Sequence, residues 1–119
     1  MQIFNLTQHL STKTQLDVVE PSKEVKEKIK NLLTFKEQPD LKELNKRATA
    51  LAKLIPTGIR NVLIGGASYF MPVLHRQLVN YGYYPHYSFS PRVSKDIPQK
   101  DGTVKKVSKH QHLGYVSYN

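Results

Sequence analysis

The sequence predicts an α/β fold: a single small Rossmann-like domain with a short, mostly parallel sheet, three helices and a C-terminal β-hairpin. Three observations carry that expectation. Short β-prone runs alternate with segments of helical period along residues 1–91. A glycine pair, Gly65-Gly66, stands between an apolar run and a helical pattern, as at a strand-to-helix junction. Asp101-Gly102 falls between two β-branched runs, which marks a hairpin. With 119 residues the chain has room for one core and not for two. Residues 1–91 are therefore taken as the α/β core, and residues 92–119 as a basic hairpin with a final strand.

Gln2–Thr7 is short, β-prone and without helical period, which predicts a first strand. A Ser/Thr-rich stretch then leads to Ser22, a helix cap followed by Glu24 in the first turn. Val25, Ile29, Leu32 and Leu33 form the apolar face of that helix, and Lys26, Lys28 and Lys30 are expected on its solvated side. Asp40 and Glu43 make a capping box for a second helix, whose stripe is Leu41, Leu44, Ala48, Leu51 and Ile55, closed by Pro56 and Gly58. Arg60–Ile64 fits a buried strand. Met71, Leu74, Leu78 and Tyr81 space a third helix, with Pro72 tolerated in its first turn and Gly82 at its end. Tyr84–Ser90 alternates as a strand should. Residues 60–90 are thus a β–α–β unit with parallel strands and a right-handed crossover. Val93–Ile97 and Val104–Val107 flank the hairpin turn, and Gly114–Tyr118 is a last strand. The expected stacking is three-layer-like.

The charge departs from the ordinary. Eighteen Lys and Arg face nine Asp and Glu, a formal +9, which favours a polyanionic partner: a nucleotide-type small anionic ligand, a nucleic acid or an acidic partner protein. There is no cysteine, so disulfides, thiolate zinc sites and thiol nucleophiles are excluded. No apolar run approaches the ~20 residues of a membrane helix, and the opening residues do not resemble a signal peptide, so a cytoplasmic protein is expected.

In an open α/β sheet ligands bind beyond the carboxyl ends of the strands. Three clusters lie at such ends: Asn5, Thr7, Gln8 and His9; Gly65, Gly66, Ala67 and Ser68; and Ser88, Ser90 and Arg92. They meet on one rim if the first strand runs parallel to its neighbours. Glycines let the backbone approach an anion, and a helix start adds unpaired N–H groups. The same residues also fit a tight turn that simply needs glycine. The loop is neither a Walker A nor a GxGxxG sequence. Arg92 offers a two-pronged phosphate donor, with Lys105 and Lys106 on the hairpin as further cations. His9 is the candidate for proton transfer. His110 and His112 share one face of an extended segment, and His112 is placed at the anionic pocket. No third metal ligand accompanies them, so neither metal nor cofactor is expected. His75 and His86 are read as structural. Tyr81, Tyr83, Tyr84, Tyr87, Tyr115 and Tyr118 can stack bases or fill the core. No carboxylate pair or GxSxG elbow supports conventional hydrolysis, whereas phosphodiester cleavage needs only positioning, phosphate clamps and a proton-transfer group.

The opening IFNLTQH, then LLTF, GGASYFM, the run from Tyr87 to Arg92 and His112-x-Gly-Tyr-Val resemble a poorly characterised family of small bacterial and phage proteins, over nearly the whole chain. The FNLTQH opening is also similar to that of small CRISPR-associated ring nucleases, which resemble Rossmann-like sensor domains for cyclic oligonucleotides. That likeness implies a homodimer binding a cyclic oligonucleotide or cyclic ADP-ribose-type immune signal. Thr7, Gln8, His9, Gly65, Gly66, Ser68 and Arg92 would then lie on the ligand rim. Binding alone and ring-opening cleavage both stay open. The alternative is a basic anti-defence or inhibitor protein that holds a partner protein or nucleic acid through its lysines.

Overall fold

The computed structural model describes residues 2–9, 17–90, 92–110 and 114–118. Its element order is β1 (Gln2–Asn5), β2 (Asp17–Val19), α1 (Lys23–Leu33), α2 (Leu41–Ala52), β3 (Asn61–Ile64), α3 (Met71–Asn80), β4 (Tyr84–Phe89), β5 (Arg92–Pro98), β6 (Val104–His110) and β7 (Gly114–Ser117). A five-stranded sheet runs β2-β1-β3-β4-β7, and β5 and β6 form a separate two-stranded ribbon. Strands β2, β1, β3 and β4 are parallel, and β7 closes the edge antiparallel to β4. This is the mostly parallel α/β domain with three helices and a C-terminal antiparallel pair that the sequence predicts.

The helices start where capping chemistry dictates. Ser22 Oγ accepts from Val25 N at 3.3 Å, and Asp40 Oδ1 accepts from Glu43 N at 2.8 Å. The expected capping box is half formed, because the Glu43 carboxylate turns to Arg47 at 2.9 Å. At the end of α3, Tyr83 N donates to Leu78 O and Gly82 N to Val79 O. Gly82 sits at φ +88°, so this is a Schellman stop that needs glycine.

One core joins the layers. Phe4, Leu6, Val62 and Ile64 meet Ile29 and Leu33 of α1, Leu44, Ala48 and Leu51 of α2, and Val73, Leu74 and Leu78 of α3. All three helices therefore lie on one sheet face, giving two layers among the described residues where three were expected. The topology explains it. The crossover from β2 to β3 passes over β1 in the direction that β3 to β4 also takes, and right-handed crossovers in one direction share a face. The three-residue β2 is a strand the sequence reading did not anticipate.

In the β4–β7 pair Phe89 faces Gly114. In the ribbon β5 and β6 hold one register from Arg92↔His110 to Pro98↔Val104. At the turn, Asp101 Oδ1 accepts from Thr103 N and Oγ1 at 3.0 and 2.6 Å, with Gly102 at φ +85°. No described helix is long and apolar enough to cross a membrane.

Candidate functional site

Strand order fixes where a site can form. From β1 the chain goes to one side, to β2, and from β3 to the other, to β4. The carboxyl ends of β1 and β3 thus flank the point where the winding reverses, the crevice in which open α/β sheets take ligands. Strand β1 is parallel to β3, so the three predicted clusters do come to one rim. The two sides of the crevice touch: a Cβ built on Gly65 would stand 3.5 Å from Thr7 Cγ2.

The β1 side is locked from within. Asn5 is fully buried, and its Nδ2 donates to the His9 carbonyl at 2.8 Å and to both Glu20 carboxylate oxygens at 3.0 and 3.1 Å. Its Oδ1 accepts from Thr7 N at 3.0 Å and Thr7 Oγ1 at 2.6 Å. Lys26 Nζ donates to the carbonyls of Thr7 at 2.8 Å and His9 at 3.1 Å, and stands 3.7 Å from Glu20. The residue expected on the solvated face of α1 is thus a half-buried clasp: at the start of a helix beside strand ends, an ammonium finds carbonyls left over by the sheet. Asn5 and Thr7 spend their polar atoms on this loop, while the side chains of Gln8 and His9 are exposed. Gln8 borders a small hollow of about 370 Å³ with Glu20, Lys23, Lys26 and Lys30. Tyr115 lies near enough to Glu20 that burial first and this carboxylate second raise its phenol above its usual value.

The β3 side is open. Gly66 has φ +152°, and a Cβ there would meet Met71 Cε at 3.4 Å. Phe70 N and Met71 N both donate to Ala67 O, starting α3. The N–H groups of Ala67, Ser68 and Tyr69 make no hydrogen bond among the described residues. Pro72, in the first turn of α3, has no N–H to satisfy. At the end of β4, Ser88 Oγ and Ser90 Oγ are 2.9 Å apart.

Arg92 opens β5 directly past this rim, so the ribbon leaves from the end of the sheet where β4 finishes. Lys105 and Lys106 are exposed on β6. His112 lies outside the described residues.

A groove runs down the outer flank of α3 from this rim. It is a shallow, open groove of about 610 Å³ between Gly66, Ser68, Met71, Pro72, His75, Tyr87 and Tyr118. His75 Nδ1 and the Tyr87 hydroxyl are 2.9 Å apart. Burial, and then the neighbouring Tyr118, push the Tyr87 phenol above its usual value. Sequence reasoning took His75 as structural and did not bring it to the rim. Its only trace in the sequence is the four-residue step from Met71 to His75, which puts both on one helix face. His86 behaves as read: it is buried, its Nε2 is 2.9 Å from Asn61 Oδ1, and burial lowers its pKa.

Fold and rim together define a small, mostly parallel α/β domain whose parallel strands end on one rim, followed by a two-stranded basic ribbon. The chain belongs to the uncharacterized protein MJ1673 family, whose model matches residues 1–116. No curated protein and no solved structure matches it.

Proposed function

We propose that this protein binds a nucleotide-derived anion, cyclic or oligomeric, at the carboxyl rim of its sheet. The observation that carries the reading is the glycine loop Gly65–Ser68 at the winding reversal. Among the described residues the N–H groups of Ala67 and Ser68 in this loop make no hydrogen bond, and Gly65 stands against Thr7 at the neighbouring strand end. Backbone donors of this kind suit phosphate oxygens, and glycine permits the close approach. The Ser68 and Ser90 hydroxyls, Arg92 and the ribbon's Lys105 and Lys106 supply further donors and charge. Two copies of so small a domain would enclose a cyclic oligonucleotide, which supports a homodimer. The likeness of the FNLTQH opening to ring nucleases points to cyclic oligonucleotide or cyclic ADP-ribose-type immune signals.

His9 is the proton-transfer group if the ligand is opened. A ribose 2′-hydroxyl attacks the adjacent phosphorus, His9 accepts its proton, and the 5′-oxygen leaves and is protonated, giving a linear product with a 2′,3′-cyclic phosphate. Asn5, Thr7 and Lys26 support this step by fixing the His9 carbonyl, and so the loop that carries the imidazole.

The test is incubation with a panel of cyclic oligonucleotides and cyclic ADP-ribose-type compounds, followed by chromatography of free and heat-released ligand. Depletion with intact release identifies a binding protein, and linear product identifies a phosphodiesterase. If no compound is depleted, the rim reading is wrong. An unchanged product yield in His9→Ala removes His9 from the chemistry.

The projecting ribbon favours one other reading, a basic inhibitor that grips a partner protein or nucleic acid. Lys105→Glu with Lys106→Glu separates the two. It abolishes capture of a macromolecular polyanion but weakens a small rim ligand only several-fold.

A further inference from the structure

The groove beside α3 has a construction that the rim reading does not use. His75 and Tyr87 lie nearly parallel, with centroids 5.8 Å apart and 11° between their planes. Tyr118 stands across both at 69° and 74°, with centroids at 5.7 and 6.0 Å. Its side is open, since Tyr118 is 74% exposed. The result is a corner of aromatic walls at right angles. A flat ring placed there lays its face on Tyr118 and turns its edge toward the stacked pair, the two geometries that aromatic quadrupoles favour. An aliphatic guest gains neither.

Polar groups at the walls are also free to read a ring edge. Ser68 Oγ, the Tyr118 hydroxyl and His75 Nε2 make no hydrogen bond among the described residues. The groove is continuous with the rim, because Gly66 and Ser68 line it and also form the loop at the end of β3. Its open volume of about 610 Å³ falls in the range of small-molecule sites and leaves room for a mononucleotide.

We infer that this groove is the nucleobase subsite of the ligand whose phosphate lies along Gly65–Ser68. The inference rests on the anion reading of the rim and adds what the rim cannot supply, recognition of a heteroaromatic ring. Tyr118 is the stacking surface. His75, held by its bond to Tyr87, presents its second nitrogen to the base edge.

The experiment titrates the full chain with the four 5′-mononucleotides, their nucleosides and ribose 5-phosphate, followed by NMR shifts of the tyrosine rings and by calorimetry. Tyr118→Ala and Tyr118→Phe are compared with the parent, since an exposed ring can be truncated without touching the core. At least one mononucleotide is expected to bind more tightly than ribose 5-phosphate. Tyr118→Ala should erase that advantage, a loss of roughly tenfold, while leaving ribose 5-phosphate unchanged. Tyr118→Phe should keep most of it. If mononucleotides bind no better than ribose 5-phosphate, or Tyr118→Ala weakens both alike, the base subsite is refuted and the rim stands. If nucleosides bind through Tyr118 while ribose 5-phosphate does not bind, the groove stands and the rim reading falls. If nothing binds, both fall; a changed sedimentation coefficient in Tyr118→Ala would then make the groove a contact between copies.

Discussion

In the body of the protein Phe4, Val62, Leu74 and Leu78 are at most 2% exposed, whereas in the ribbon Ile97 and Val104 are 41% and 61% exposed. Both regions contain β-branched residues in regular ladders. The body buries its side chains under three helices, and the ribbon has its own ladder and a tight turn. An isolated two-stranded ribbon is marginally stable in water. Burial makes the body cooperative, while the ribbon contributes charge and reach. The largest effect should therefore follow from a core truncation. Leu74→Ala is expected to cost about 3 kcal/mol in urea unfolding, and Val104→Ala within about 0.5 kcal/mol. Equal losses at the two positions would break the comparison and make the ribbon part of the core.

A second test asks whether the β1 rim belongs with the rigid body. Removing the amide of the fully buried Asn5 leaves Thr7 N without its acceptor and takes one donor each from the Glu20 carboxylate and the His9 carbonyl. Asn5→Ala is expected to destabilise by about 2 kcal/mol. It should also speed amide exchange of residues 5–9 beyond that of β3. If exchange there rises no more than elsewhere, the network holds the fold and not the loop.

The contrast between the regions also governs how much was legible in the sequence. Elements with strong period and chemical stops were plain: the α2 stripe, the Pro72 and Gly82 ends of α3, and the Asp101-Gly102 turn. Each is fixed by neighbours along the chain. Strand β2 was hidden because three residues, Asp17–Val19, carry no period, and only pairing with β1 makes them a strand. The rim was legible as three polar strand ends once parallel pairing was assumed. Its inner lock was not, since Asn5, Glu20 and Lys26 meet only through β1–β2 pairing and the entry of α1. The aromatic corner was equally hidden, because it joins α3 to β4 and to Tyr118 beyond β7.

Smaller again is the effect of the helix stop. Gly82 has φ +88°, and a Cβ there would come 2.8 Å from an Arg60 guanidinium nitrogen, which itself donates to Gly82 O at 3.1 Å. The arginine tip can swing aside, so backbone strain dominates. Gly82→Ala is expected to cost about 1 kcal/mol, read as a lower urea midpoint with unchanged slope. Arg60→Ala alone should cost less. If Arg60→Ala rescues Gly82→Ala fully, the contact and not the backbone was the cause.

The smallest effect is one of pH. His86 lies within the sheet beside Asn61, and burial lowers its pKa from the ordinary 6.5. In the unfolded chain the imidazole takes a proton near 6.5, while in the fold it stays neutral to lower pH. Between those two values the unfolded state binds more protons, so stability rises with pH across the window. The contribution is whole above about pH 6.5 and is lost as pH falls through the folded value. Urea midpoints at pH 7.5 and 5.5 should thus fall on acidification in the parent, and fall less in His86→Gln, whose amide can still donate to Asn61 Oδ1. Both pH values lie above the ordinary carboxylate range, so Asp and Glu contribute little to the difference. An identical decline in parent and variant would place the titrating group elsewhere and mean that His86 takes up protons equally in the folded and unfolded chains.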